Sequence, residues 1–232
     1  MALLDKEQYK ENYNSILNSI PEVKKNNLKI ISVSKSHPKE AMKRAFDAGL
    51  RVFGENYVQE MVEKFEWLDD KTKDKIEWHF IGHLQTNKVK YIAPFVNCIH
   101  SVYKLKLAKE INKRANQNDR TIDILLQVNT SGEDSKSGCN PNDALDIAKG
   151  IIDLENVNLK GLMTISGLDS TDSERKKEFA LLKDLKNNIN NELGTDLNEL
   201  SMGMTADYQL AISEGSTMIR VGTAIFGERV YS

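Results

Sequence analysis

Lys35 is the residue with the clearest chemical potential in this chain. It ends the run Lys29-Ile30-Ile31-Ser32-Val33-Ser34-Lys35 and stands just before Ser36-His37-Pro38-Lys39-Glu40, where the pattern turns helical. The β-branched run reads as a strand, and period-two alternation puts Lys35 on the same side as Val33 and Ile31. Its amine then emerges from an apolar stem at the carboxyl end of the strand. Desolvation disfavours an ammonium ion there, and a neutral amine in a partly dry pocket can attack a carbonyl and form a Schiff base. The competing reading is a lysine that packs its stem and keeps its head in water.

A second group of chemically useful residues lies near the end of the chain, in Ser201-Met202-Gly203-Met204-Thr205-Ala206-Asp207 and in Arg220-Val221-Gly222-Thr223-Ala224-Ile225-Phe226-Gly227. Ser201 and Thr223 can donate hydroxyl hydrogen bonds, Gly203 and Gly222 let the backbone come close to an anion, and Arg220 adds a permanent positive charge. Together they suit a phosphate. Structural duties are the alternative: turns at Gly222 and Gly227, a helix cap at Ser201, and a surface carboxylate paired with Arg220. A ligand bearing both an aldehyde and a phosphate would join the two groups. Pyridoxal 5′-phosphate (PLP) has that pair, and a phosphosugar aldehyde held by an aldolase-type lysine is the rival.

The elements that must position these groups alternate along the chain. After an opening helix from Asp5 to Ile20, strand-like runs fall at Lys29 to Ser34, Arg51 to Phe53, Glu77 to Ile81, Cys98 to Val102, Thr121 to Asn129, Leu159 to Ile165, Glu199 to Met202 and Thr217 to Val221. Amphipathic helical patterns separate them, at Pro38 to Ala48, Val58 to Leu68, Gln85 to Ala93, Lys104 to Gln117, Asn142 to Ile152, Ser173 to Asn190 and Thr205 to Ser213. Strand-helix alternation implies parallel pairing by right-handed crossovers, and eight repeats predict a closed (β/α)8 TIM barrel, class α/β. An open α/β sheet is the alternative because the second strand is so short. In a barrel the active mouth lies at the strands' carboxyl ends, with phosphate commonly held after strands seven and eight. The unusual segments fall there: Lys35, Gly54 to Tyr57, Gly82 to Lys88, the loop 129–138 and Met163 to Gly167.

Composition narrows the function further. The 232 residues carry Lys+Arg 32 against Asp+Glu 34, for a net charge of −2, without the basic excess of a nucleic-acid binder. Only four prolines and no Gly/Ser-rich run leave no sign of a linker, so residues 1–232 are read as one domain. Charges at Asp5, Lys6 and Glu7 argue against a secretory signal, and no run reaches membrane-spanning length, so a cytoplasmic protein is expected. Cys98 reads as a small core residue and Cys139, in a polar loop, as incidental. His79 and His83 alternate on the third strand without a third ligand in sight, so no metal site is expected.

The chain resembles the pyridoxal phosphate homeostasis proteins, also called proline synthase co-transcribed homologues. The resemblance is carried by Val33-Ser34-Lys35, Phe53-Gly54-Glu55-Asn56-Tyr57-Val58-Gln59-Glu60, Trp78-His79-Phe80-Ile81-Gly82, Leu84-Gln85-Thr86-Asn87-Lys88, Gly161-Leu162-Met163-Thr164-Ile165, Leu200-Ser201-Met202-Gly203-Met204 and the run Arg220 to Gly227. That family is similar to the amino-terminal barrel of alanine racemase, PLP fold type III, without the racemase C-terminal β domain. The resemblance implies that Lys35 holds PLP as a Schiff base and that Ser201, Gly222 and Thr223 bind its phosphate. It further implies that Arg220 lies near the phosphate or the pyridine nitrogen, and that Asn56 and Met163 line the pocket. An arginine at the pyridine nitrogen keeps that atom unprotonated and weakens the ring as an electron sink. Thr205 is a small departure in the Ser-Met-Gly-Met-Thr run.

The expected function is PLP homeostasis: a non-catalytic carrier that buffers or delivers the cofactor, with apo PLP-dependent enzymes as partners, affecting amino-acid and keto-acid metabolism. The alternative is a weak PLP-dependent amino-acid racemase. Racemisation needs proton removal on one face of the α-carbon and delivery on the other, and the racemase tyrosine belongs to the β domain, which is not expected here. Tyr57 is read as a packing or pocket-wall tyrosine rather than as a substitute, and Lys136 as a solvated loop lysine rather than a second amine. Met163, Met202 and Met204 are read as filling space around a ring. A monomer is expected.

Overall fold

The eight apolar runs pair edge to edge and close into one barrel in chain order, which rules out the open sheet. The strands are β1 (Lys29–Val33), β2 (Val52–Glu55), β3 (Glu77–Phe80), β4 (Cys98–Val102), β5 (Ile122–Gln127), β6 (Val157–Met163), β7 (Glu199–Met204) and β8 (Met218–Val221). The computed structural model describes residues 3–133 and 136–228, so residues 134 and 135 of the loop after β5 lie outside the described residues. Every neighbouring pair is parallel, and β8 returns to β1 with Ile31 opposite Arg220.

The helices bury one face each against the outside of the barrel. In Lys39–Asp47 that face is Ala41, Met42, Ala45 and Phe46, and in Leu105–Asn116 it is Leu107, Ala108, Ile111 and Ala115, the three-and-four spacing of an amphipathic helix. The opening helix Lys6–Ser19 starts on a capping box between Asp5 and Gln8, which satisfies two otherwise orphaned N–H groups. It backs the short helix Thr223–Phe226, with the Tyr9 and Phe226 rings 5.5 Å apart and Asn12 donating to the Ile225 carbonyl at 3.0 Å. Among the described residues no helix is long and apolar enough to cross a membrane.

Two departures from the sequence reading shape the site. β2 runs on through Gly54 and Glu55, which read as a loop because glycine weakens a strand. Here glycine is required inside the barrel, since a Cβ at Gly54 would meet Ile31 Cγ2 at 2.7 Å. β7 likewise continues past Met202, with a register shift between Ser201 and Met204 where Gly203 adopts φ 94°. A positive φ favours glycine, and a Cβ there would also strike Ala211 at 2.6 Å. Gly203 therefore serves this bulge and the packing of Tyr208–Ser213 rather than the approach of an anion. That helix starts three residues later than expected, leaving Thr205 and Ala206 in a turn.

The barrel interior is only partly apolar. Ile31, Val33, Ile81, Cys98, Leu125, Met163 and Met218 form one buried cluster, and each fully buried aliphatic side chain contributes roughly 2 kcal/mol. His79, His100, Ser201 and Arg220 share the same space and are also buried.

Candidate functional site

At the carboxyl ends of the strands a cavity of about 270 Å³ gathers Lys35 after β1, Asn56 after β2, Thr205 and Ala206 after β7, and Arg220, Gly222 and Thr223 from β8 and the turn beyond it. Val33, Ile81, Ile165 and Met204 supply its apolar wall. Five of the seven expected site residues thus share one hollow. Ser201 and Met163 do not line it: both are fully buried deeper in the barrel. Thr205, expected only as a departure in its run, is among the residues that line the cavity. Its position depends on Asp207, which accepts from the Met204 N–H at 2.6 Å and from Ser166 Oγ at 2.6 Å and so fixes the intervening turn.

The neighbours of Lys35 are held by a buried ionic network. Lys64 Nζ, on the helix Val58–Trp67, donates at 2.7 Å to each of the Ser34 carbonyl, Glu55 Oε1 and Glu60 Oε1. Ser34 Oγ donates to Glu55 Oε1 at 2.6 Å, and the Ser36 N–H donates to Glu60 Oε1 at 2.7 Å. Ser36 has φ 61°, an uncommon conformation for a residue other than glycine. The strand end is thus gripped on both sides of Lys35. Burial pushes the Glu55 carboxyl up to about 7 against the pull of the Lys64 ammonium, and its Oε2 has no partner among the described residues. Glu60 and Lys64 are spaced i, i+4, a helical pairing visible in sequence; that Lys64 points inward is not.

Arg220 is 4% exposed, so the surface ion pair weighed for it does not form. Its guanidinium donates from Nη1 to Ser201 Oγ at 2.6 Å and from Nη2 to the Thr164 carbonyl at 2.9 Å. Burial lowers it to about 10, with Asp207 opposing. Gly222 has φ −108°, and a Cβ there would meet nothing closer than the Val33 carbonyl oxygen at 3.4 Å.

Asn56 Oδ1 is buried at the edge of the same cavity and has no hydrogen-bond partner among the described residues. Buried acceptors are rarely left unpaired, so this one is suited to a donor on a bound molecule. Its backbone touches Gly82, where a Cβ would lie 2.1 Å from the Asn56 carbonyl oxygen. Gly82→Ala is therefore expected to push Asn56 out of line and destabilise the fold by roughly 1–3 kcal/mol, measured by urea unfolding.

Other residues take places the sequence did not anticipate. Lys136 is only partly exposed: its ammonium donates to the Ser166 carbonyl at 2.5 Å and pairs with Glu133 at 3.1 Å. Cys139 is buried rather than incidental, bridging to Val128, and burial pushes its thiol up to about 12. Tyr57 is 58% exposed at the start of its helix and does not line the cavity. His83 is exposed, whereas His79 meets His100 and Cys98 inside the barrel, with ligand-type atoms within 4.8 Å of one another. The link from His79 to His100 was missed because it spans two strands.

Residues 4–230 match the family model of the alanine racemase N-terminal domain. The chain is 42% identical over 203 residues to a pyridoxal phosphate homeostasis protein of Aquifex aeolicus, covering 88% of each. It is 42% identical over 206 residues to one of Schizosaccharomyces pombe, covering 88% of this chain and 85% of the relative. The structure of PipY from Synechococcus elongatus with PLP bound superposes with a TM-score of 0.85 at 34% identity, covering 94% of this chain and 100% of PipY. An alanine racemase of Clostridium difficile shares the fold at 16% identity, with a TM-score of 0.79 over 97% of this chain and 58% of the racemase. By these matches over nearly its whole length, the chain belongs to the pyridoxal phosphate homeostasis protein family, built on the alanine racemase N-terminal domain.

Proposed function

We propose that this protein binds PLP at the barrel mouth and serves as a carrier in PLP homeostasis rather than as a racemase. The observation that carries the reading is that Lys35 and the hydroxyl and glycine groups after β7 and β8 line one cavity. Bound PLP supplies an aldehyde that condenses with a primary amine, releasing water, and a phosphate that needs donors. Lys35 provides the amine. Thr205, Thr223 and the backbone at Gly222 provide donors on the opposite wall, and Ser201 acts from beneath by orienting Arg220. Arg220, deep in the cavity and permanently cationic, would offer its remaining N–H groups to an anion or a ring nitrogen and keep such a nitrogen unprotonated. Asn56 would accept from a polar substituent on the ring. Val33, Ile81, Ile165 and Met204 exclude water from its face.

The PLP bound in PipY and the names of the curated relatives support this reading. Against racemisation stands the wall itself: among the described residues lining the cavity only Lys35 and Arg220 are ionisable, and an arginine is a poor proton shuttle. A single-domain monomer in the cytoplasm that hands PLP to apo enzymes is the form of the proposal. The test mixes the PLP-loaded protein with an apo PLP enzyme and separately follows α-proton exchange of amino acids in deuterated water. Reactivation of the apo enzyme with exchange no faster than free PLP gives supports the carrier; steady exchange well above that background supports the racemase.

A further inference from the structure

A single file of hydrogen bonds crosses the barrel interior from its floor to Arg220. Lys29 Nζ lies 2.6 Å from Glu77 Oε1, which lies 2.9 Å from His79 Nε2. His79 Nδ1 is 2.7 Å from His100 Nε2, and His100 Nδ1 is 2.9 Å from Ser201 Oγ. Arg220 Nη1 completes the file at 2.6 Å from Ser201 Oγ. His79, His100 and Ser201 are fully buried, and Glu77 and His79 border a hollow of about 350 Å³ at the floor, away from the mouth.

The two ends dictate the direction of every bond. A guanidinium only donates and a carboxylate only accepts. Glu77 is ionised, pulled down to about 2 by its bond to His79 and by Lys29, and so takes the His79 Nε2 proton. Burial holds both histidines below their ordinary value, and each neutral ring carries one N–H. His79 Nδ1 is then a bare lone pair that must accept from His100 Nε2–H. His100 Nδ1 in turn accepts the Ser201 hydroxyl proton, which leaves a Ser201 lone pair facing Arg220. The other tautomer of either ring would set two protons or two lone pairs against each other.

We propose that Glu77, His79 and His100 are positioning residues for Arg220, forming a relay of fixed polarity through which a carboxylate at the barrel floor holds the guanidinium at the ligand site. Among the described residues no carboxylate lies within ion-pair distance of Arg220. Asp207 opposes the cost of its burial from beyond ion-pair distance, and further compensation arrives through the chain, whose bonds polarise one another in a low dielectric. The relay sets the orientation of Arg220 and the strength with which its remaining N–H groups are offered into the cavity. Its consequence for PLP rests on the function proposed above; its proton order does not.

Long-range nitrogen-proton NMR of the histidine rings in the wild-type protein tests that order without any ligand. Both rings are expected neutral with the proton on Nε2, and a ring protonated at Nδ1, or an imidazolium, overturns the relay. Equimolar zinc is expected to leave both rings unchanged; displacement of the bond between them makes the cluster with Cys98 a metal site and likewise overturns it. Glu77→Gln replaces an obligate acceptor with an amide that can also donate. Its affinity for PLP is expected to fall about fivefold or more, the low end of coupling between separate sites, with a shifted absorption band. Lys29→Met removes the same floor ion pair but keeps the carboxylate, and is expected to retain wild-type affinity. A folded Glu77→Gln protein with wild-type affinity and spectrum overturns the relay, as does an equal loss in Lys29→Met. Wild-type protein that takes up no PLP instead refutes the function proposed above, while the ring-nitrogen spectra still decide the proton order.

Discussion

Lys35→Ala protein is expected to lose the near-visible absorption band of bound PLP and to bind the cofactor about 100-fold more weakly or worse, equivalent to roughly 2.7 kcal/mol. The substitution removes the amine lining the mouth cavity and leaves Thr205, Thr223, Arg220 and Gly222 in place. Residual binding should therefore remain, driven by the phosphate, and inorganic phosphate should compete with it. Absorbance titration with PLP measures both effects, and a melting curve shows whether the fold is intact. An alanine variant that keeps the band would move the covalent attachment to another amine.

Lys64→Met carries the second large effect, this time on stability. It strips the ammonium from a site where Glu55 is fully buried and Lys64 itself 2% exposed, leaving a carboxylate without its counter-ion. Breaking a buried pair in this way costs about 3–5 kcal/mol, far more than removing a surface pair. The cost depends on pH with a definite sign. Burial already raises Glu55 to about 7 from its ordinary 4.5, so its charged form destabilises the folded state. The penalty is absent below about 4.5, grows as pH rises through about 7, and in the variant extends higher because the opposing ammonium is gone. Urea unfolding should therefore show a smaller deficit near pH 5 than near pH 8. Because the same network holds Ser34 and Ser36, the variant should also bind PLP more weakly even at pH values where it is folded.

The barrel was legible because its signals are local and repeated. Eight strand-like runs separated by seven helical patterns have one common closed arrangement, and glycine and hydroxyl residues cluster where such a barrel binds phosphate. Lys35 could be placed because alternation from Ile31 and Val33 needs only the strand itself. What sequence did not show was depth and cross-strand contact. Ser201 and Thr205 are hydroxyl residues four apart, and only the bulge at Gly203 decides that Thr205 faces the cavity while Ser201 lies beneath it. Lys64 looked like any helical lysine, and its inward direction follows from Glu55, a residue whose strand had been cut short at Phe53. His100 and His79 sit on adjacent strands 21 positions apart, so no spacing rule joins them. The burial of Cys139 is hidden for a related reason: its polar surroundings in sequence give no sign that its N–H donates to the Gln127 carbonyl of β5.

The central claim is that one amine, Lys35, attaches PLP while the loops after β7 and β8 grip the same molecule. Borohydride reduction of the PLP-loaded wild-type protein, followed by proteolysis and mass mapping, tests it most directly. The pyridoxyl phosphate group is expected on the peptide containing Lys35. Its recovery on Lys136 or another lysine, or on no peptide at all, would contradict the account.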